Sequence, residues 1–117
     1  MSEARKLAEH YFALSNARNL DASERLFTPS STYSSVNTGV FLGSEQITGM
    51  QRQFSSGFKT MEWVVHSVEE VRPGVVLFDF TFSGVTNDGH HVERPGLEYV
   101  IVYNGKIQHV EVRNKKK

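Results

Sequence analysis

EYVIVYNGKIQHVEV, residues 98–112, holds two runs rich in β-branched and aromatic residues around Asn104-Gly105. Asn-Gly between alternating apolar residues is the signal of a two-residue type I′ hairpin turn. A regular hairpin about that turn pairs Tyr103 with Lys106, Ile101 with Gln108, Tyr99 with Val110 and Leu97 with Val112. Alternation puts those residues on one face. The other face pairs Val102 with Ile107, Val100 with His109 and Glu98 with Glu111. The first face is the more apolar and is expected to line the concave side of a sheet. The second is expected to point outward. A slip of one residue would exchange the two faces wholesale.

Upstream of the hairpin, VVLFDFTFSG (75–84) alternates clearly, with Val76, Phe78, Phe80 and Phe82 on one side. TMEWVVHSVEEV (60–71) does the same with Met61, Trp63 and Val65, and Pro73-Gly74 supplies the turn between the two runs. The facing of residues 85–96 is open, because Pro95-Gly96 interrupts the alternation. The first half of the chain has the helical period instead. Ala4, Leu7, Ala8, Tyr11, Phe12 and Ser15 form one stripe over residues 3–17. A short helix is expected from an Asp21 cap to Phe27, ahead of Pro29. Residues 30–42 read as an irregular strand or strand pair. A third helix is expected from a Ser44 cap to Gly57, with Ile47, Met50 and Phe54 inward. Helices followed by strands joined through tight turns give an α+β fold, with helices on one face of an antiparallel sheet.

The chain has 117 residues, enough for one domain with one core over 1–117, and Asn114–Lys117 is expected to be a disordered tail. Thirteen basic and thirteen acidic residues leave a formal net charge of zero, which argues against a nucleic-acid partner. No cysteine is present, which excludes disulfides, thiolate metal sites and a thiol nucleophile. There is no apolar run of membrane-spanning length, and the N-terminus lacks the apolar core of a signal peptide. A cytoplasmic location is the expectation, with no membrane partner.

HYFALSNARNLDASERLF (10–27), Gly43 before the third helix and NGKI (104–107) before the last strand carry a resemblance over nearly the whole chain. They resemble the nuclear transport factor 2-like superfamily, in particular its SnoaL-like and ketosteroid isomerase-like group. The resemblance implies a cystatin-like α+β cone, three N-terminal helices in the concave face of a curved antiparallel sheet. It also implies a dimer through the outer sheet face. The residues expected there are Glu98, Val100, Val102, Ile107, His109 and Glu111. The superfamily holds isomerases, hydrolases, cyclases and binding proteins, so the fold does not choose among them.

Ketosteroid isomerases use a carboxylate base and two hydrogen-bond donors, one a helix-1 tyrosine and the other a protonated aspartate of the penultimate strand. By the resemblance Tyr11 matches the tyrosine, and the second donor falls at Tyr99 through the hairpin pairing. The base falls at Ser35, or at Ser34 with a slip of one, and neither is a carboxylate. His91 and Glu93, at i and i+2, are the candidate replacement acid–base pair. His90-His91 is a poor metal pair because adjacent strand residues point to opposite faces. Neither metal nor cofactor is expected. The Asp-Arg-Asp set implied for epoxide hydrolase relatives is not found, since Asp79 opposes the phenylalanine face and Arg94 stands alone.

Tyr11, Tyr33, Ser35, Trp63, Phe78, Phe80, Tyr99 and Val110 are the candidate lining of an apolar ligand pocket. Three readings follow: a binder of a small apolar molecule, an isomerase- or cyclase-like enzyme with an atypical base, and a dimeric interaction module whose cone is filled core.

Overall fold

The computed structural model describes residues 2–115. Helices α1 (Glu3–Asn16) and α2 (Leu20–Glu24) precede a short hairpin of β1 (Phe27–Ser35) and β2 (Gly39–Leu42). Helix α3 (Gly43–Ser56) leads into β3 (Phe58–Arg72), β4 (Val75–Thr86), β5 (His91–Tyr103) and β6 (Lys106–Asn114). All six strands form one curved, unclosed sheet in the order β2-β1-β6-β5-β4-β3, with β2 and β3 at its edges. Every pairing is antiparallel except β1 with β6, which is parallel. The fold is the expected α+β arrangement of three helices against one face of the sheet.

Local chemistry sets the helix limits. Ser2 caps α1 by accepting from the Arg5 N–H. Asn19 rather than Asp21 caps α2, accepting from the Ala22 N–H. α3 starts at Gly43, ahead of Ser44. Gly43 takes φ +87°, and a Cβ there would meet the Pro29 carbonyl oxygen at 3.0 Å, so a larger residue is strained on two counts.

The core lies between α1 and the sheet. Ala8, Tyr11 and Phe12 meet Val76, Phe78, Phe80 and Phe82, which face the helices as their alternation predicts. Phe12 stacks on Phe78 with centroids 3.9 Å apart. Two polar clamps fix the helices against the edge strand β3. The Asn16 amide donates to the Trp63 carbonyl at 3.1 Å and accepts from the Trp63 N–H at 2.7 Å. Arg18, in the left-handed region at φ 57°, donates to Ser55 Oγ and to the carbonyls of Ser55, Phe58 and Lys59. The Ser55 carbonyl lies in the last turn of α3, where orphan acceptors favour a cation, and Phe58 and Lys59 open β3.

The hairpin departs from its regular register. Asn104 and Gly105 have φ of 53° and 75°, as a type I′ turn requires. Tyr103 pairs with Lys106 and Val102 with Ile107, but Ile101 then pairs with His109, leaving Gln108 as an extra residue. This β-bulge moves every later pair by one. Glu98 pairs with Val112, Tyr99 with Glu111 and Val100 with Val110. Ile107 is buried on the inner face, so its partner Val102 and, by alternation along β5, Val100 and Glu98 face inward as well, and the bulge brings Val110 and Val112 onto that face in place of His109 and Glu111. Leu97, Tyr99 and Ile101 lie on the outer face instead of the inner one. Of the residues expected on the outer face, His109 and Glu111 are there, so the apolar back patch of Val100, Val102 and Ile107 does not exist. Within the stretch expected as tail, Asn114 is the last residue of β6 and the Lys115 ammonium lies 2.7 Å from Asp79 Oδ2. Lys116 and Lys117 lie outside the described residues.

Replacing Arg18 by Met removes four donated hydrogen bonds while keeping the side-chain stem. Urea unfolding is expected to show a loss of about 1–3 kcal/mol.

Candidate functional site

An open cavity of about 100 Å³ sits between α1, α3 and the inner face of the sheet. Met50, Phe54, Met61, Trp63, Phe80 and Phe82 form its apolar walls. Tyr11, Tyr33, Ser35, Gln51 and Glu98 are the polar groups farther in. Arg94, Asn37, Thr38 and Asn114 stand at the more exposed end. The α1 stripe brings Tyr11 inward, held edge-on by Phe27 and Phe12 at 5.6 and 5.9 Å.

Sheet register places the rest. Glu98 pairs with Val112 on one side and Phe78 on the other, and Val112 pairs with Ser35 across β6. Glu98 and Ser35 thus stand in one cross-sheet row, roughly 10 Å apart at two strand spacings. Tyr33 lies one inward position back, opposite Val110.

Glu98 is 4% exposed, and no ion pair or hydrogen bond holds its carboxyl among the described residues. Burial pushes its pKa from 4.5 up to about 8. The carboxyl is therefore mostly protonated at neutral pH and can donate a hydrogen bond into the cavity. Tyr11 is raised well above 10, by burial first and then by the neighbouring Glu98 and Tyr33, with the Gln51 hydrogen bond acting the other way. Gln51 Nε2 donates to the Tyr11 hydroxyl at 3.0 Å, which leaves the phenol's own proton to give. Tyr33 is raised by burial and by Glu98, so it also remains a phenol. Three O–H donors and apolar walls form a site suited to an oxygen acceptor on an apolar molecule.

The structure brings together Tyr11, Tyr33, Ser35, Trp63 and Phe80 of the residues expected to line a pocket. It places three others elsewhere. Phe78 and Val110 are fully packed core behind the lining, and Tyr99 is on the outer face opposite Glu111. Residues 91–102 keep strict alternation through Pro95-Gly96, with Val92, Arg94, Gly96 and Glu98 inward. His91 and Glu93 consequently face outward, and His91 Nε2 lies 3.2 Å from Ser83 Oγ. They are not at the cavity because β5 pairs regularly with β4 across the whole stretch. His90 leans on Asp88 in the turn, separate from His91. No group of three His, Asp or Glu at metal-binding range exists among the described residues. Asp79 is on the outer side and bonded by Lys115.

Ser34 faces outward too and joins a second polar group. Its hydroxyl donates to Glu111 Oε2 at 3.2 Å, and Glu111 Oε1 lies 3.0 Å from His109 Nε2. His109 Nδ1 lies 2.7 Å from Thr32 Oγ1. The carboxylate needs Nε2–H as donor, so Thr32 donates to Nδ1 when the imidazole is neutral. Glu98 and Glu111 do not face each other as the regular register has them, because the bulge puts the two carboxyls on opposite faces.

A family model for the SnoaL-like domain matches residues 8–110. Solved structures share the fold at low identity. A protein described as a SnoaL-like polyketide cyclase from Shewanella putrefaciens has TM-score 0.86 at 10% identity, covering 96% of this chain and 89% of that one. An LEH-like epoxide hydrolase of M. tuberculosis has TM-score 0.83 at 16% identity, with coverages of 97% and 83%. A hypothetical protein with a ketosteroid isomerase-like fold from Catenulispora acidiphila, in complex with trimethylamine, has TM-score 0.83 at 15% identity, with coverages of 93% and 85%. No curated protein matches. No helix among the described residues is long and apolar enough to cross a membrane.

Burial of Glu98 has a stability consequence. Its folded value of about 8 exceeds the ordinary 4.5, so the native state keeps a proton that the unfolded chain releases between those values. Its contribution to stability is thus full at acid pH, falls as pH rises through that window, and is flat above it. Glu98→Gln is expected to remove that fall. Denaturant unfolding should find the variant within ~1 kcal/mol of wild type at about pH 5. At about pH 9 it should be more stable by on the order of 4 kcal/mol, since the window up to about 8 spans about three tenfold steps above pH 5, each worth about 1.4 kcal/mol.

Proposed function

This chain belongs to the SnoaL-like domain family, and within that family we propose that its cavity binds a small apolar molecule through a carbonyl or hydroxyl oxygen. The observation that carries the reading is Glu98, a buried carboxyl with no hydrogen-bond or ion-pair partner among the described residues, facing the cavity that Tyr11 also lines. An unpaired buried polar group costs stability and is retained where a ligand completes it. Protonated, Glu98 donates to an oxygen acceptor beside the Tyr11 phenol. Tyr33 gives a third donor in reach of the same region. The resemblance to ketosteroid isomerases supports the pairing, with Tyr11 as the helix-1 donor and Glu98, rather than Tyr99, as the acid on the penultimate strand.

A fluorescent naphthyl ketone, whose charge is constant from about pH 6 to pH 10, tests the reading by titration. Wild type is expected to bind it and to lose affinity as pH rises through about 8, where Glu98 ionises and becomes an acceptor only. Tyr11→Phe should weaken binding by roughly 3- to 10-fold. Glu98→Gln keeps an N–H donor and should bind without the pH step. Absence of binding by wild type sinks the proposal.

A second reading, proton transfer, is favoured by the position of the Glu98 value near neutrality, where a group serves both as acid and as base. Ser35 stands where the resemblance puts the base, and a serine hydroxyl has no general-base capacity at neutral pH without a partner. Glu98 is the one carboxyl among the lining residues, so a base in this cavity is Glu98. Isomerisation of a β,γ-unsaturated ketone should then rise with pH through an apparent pKa of about 8 and be lost in Glu98→Gln. A pH-independent rate, or turnover retained in the variant, would exclude that role.

A further inference from the structure

The inner row of β5 changes character along its length. From the mouth inward it reads Arg94, Gly96, Glu98, Val100. Arg94 pairs opposite Phe82 and is exposed, and it lines the cavity together with Glu98. Three residues lie between the two, and the four rises from one to the other amount to about 13 Å along β5. Between them Gly96 has no room for a side chain, since a Cβ would come within 2.7 Å of Phe80 Cζ. The space above Gly96 belongs to the Phe80 ring, so the row presents a cation, an aromatic surface and a carboxylic acid in sequence.

The charges around the mouth are one-sided. Arg18, Arg94 and Arg113 all line the cavity, and the single acidic lining residue is Glu98, at its inner part and largely neutral at pH 7. Arg18 is committed to the junction of α3 and β3, with its guanidinium donating to Ser55, Phe58 and Lys59. Arg113 pairs opposite Leu97 on the outer row, and its backbone carbonyl is what approaches Gly96. Arg94 remains, on the inner row, with no ion pair or hydrogen bond to its guanidinium among the described residues. A guanidinium next to apolar walls offers a forked donor for a planar anion.

We propose that the cavity takes an elongated aromatic or alicyclic acid, its oxygen end between Tyr11 and Glu98 and its carboxylate on Arg94 at the mouth. The proposal rests on the reading that the cavity binds an apolar molecule by an oxygen, and adds the second anchor. The separation of the two anchors sets the length, that of about two to three fused rings once the reach of both side chains is subtracted from the strand distance. Arg94 in this arrangement fixes the direction in which the molecule enters, because the reverse orientation puts a carboxylate among apolar walls beside an unpaired acid.

A pair of fluorescent ligands tests it: a hydroxynaphthoic acid with hydroxyl and carboxylate at opposite ends, and naphthol, which lacks the carboxylate. Wild type at about pH 7 is expected to bind the acid roughly tenfold or more tighter than naphthol. Arg94→Gln should abolish that preference by weakening the acid roughly tenfold more than naphthol, and Arg94→Lys should keep most of it. Added salt should weaken the acid alone. Equal affinity of wild type for the two ligands, or a preference that survives Arg94→Gln, overturns the anion site while leaving the apolar-pocket reading in place. Failure of wild type to bind either ligand overturns both.

Discussion

The bulge at Gln108 is the constraint on which the inner face of the sheet depends. Ile107 is fixed from two sides before the bulge: its N–H donates to the Leu26 carbonyl at 2.7 Å, and its own carbonyl accepts from Ser31 Oγ at 2.6 Å. Those bonds tie the start of β6 to the connection between α2 and β1 and turn the Ile107 side chain inward. Val110 and Val112 must also face inward, beneath α1. Ile107 and Val110 are three residues apart, so a regular strand cannot bury both on one face. An extra residue resolves the conflict, and Gln108 tolerates the position because its side chain is polar and half-exposed. Val102 pairs with Ile107 ahead of the bulge, so the unbroken alternation of β5 carries Val100 and Glu98 inward with it. The bulge lets Val110 and Val112, rather than His109 and Glu111, join Ile107 on that face, and so lines the inner row opposite Glu98 with apolar side chains.

That inward turn is costly in isolation. A carboxyl among Phe78, Val112 and Tyr11 loses its hydration and gains no ion pair, so it holds its proton to about pH 8. A Val or Leu at the same place would pack without penalty. The fold carries the penalty because its other parts are over-determined: the Phe12–Phe78 stack, the Asn16 clamp on Trp63 and the Arg18 clamp on the end of α3 hold the walls whatever the protonation state of Glu98. Stability and site chemistry are divided between different residues, which is why the cavity can keep an unpaired acid and remain open.

Much of the architecture was legible from period alone. The α1 stripe, the buried row Val76–Phe82 and the type I′ turn at Asn104-Gly105 follow from rules that act within a few residues, and the structure agrees with each. The helix caps were less legible, because Asn19 and Asp21, or Gly43 and Ser44, are both chemically competent starts and tertiary contacts choose between them. The face of β5 was misread for a longer-range reason. A correct turn does not guarantee the register beyond it, and the sign of a bulge lay in the neighbouring strand: the apolar spacing Ile107, Val110, Val112 is three and then two. Giving that spacing the weight given to the turn would have moved Tyr99 outward and Glu98 inward. Outward placement of His91 and Glu93 follows from the same regular β4–β5 ladder, which Pro95 tolerates without disturbing the alternation.

The two carboxyls of the hairpin show how partners, rather than residue type, assign chemistry. Glu111 stands on the outer face with His109 and Ser34 as hydrogen-bond donors, so both of its oxygens are used within the sheet. Glu98 stands on the inner face, with aromatic and aliphatic neighbours and an open cavity before it. A satisfied carboxylate has little left to offer a ligand, whereas an unsatisfied acid has a proton and no competing bond. The sheet thus separates a structural acid from a chemically available one across the thickness of a single layer. The polarity of the cavity follows from that separation, with a neutral donor set deep beside Tyr11 and, at the mouth, the cation Arg94, which has no ion-pair partner among the described residues.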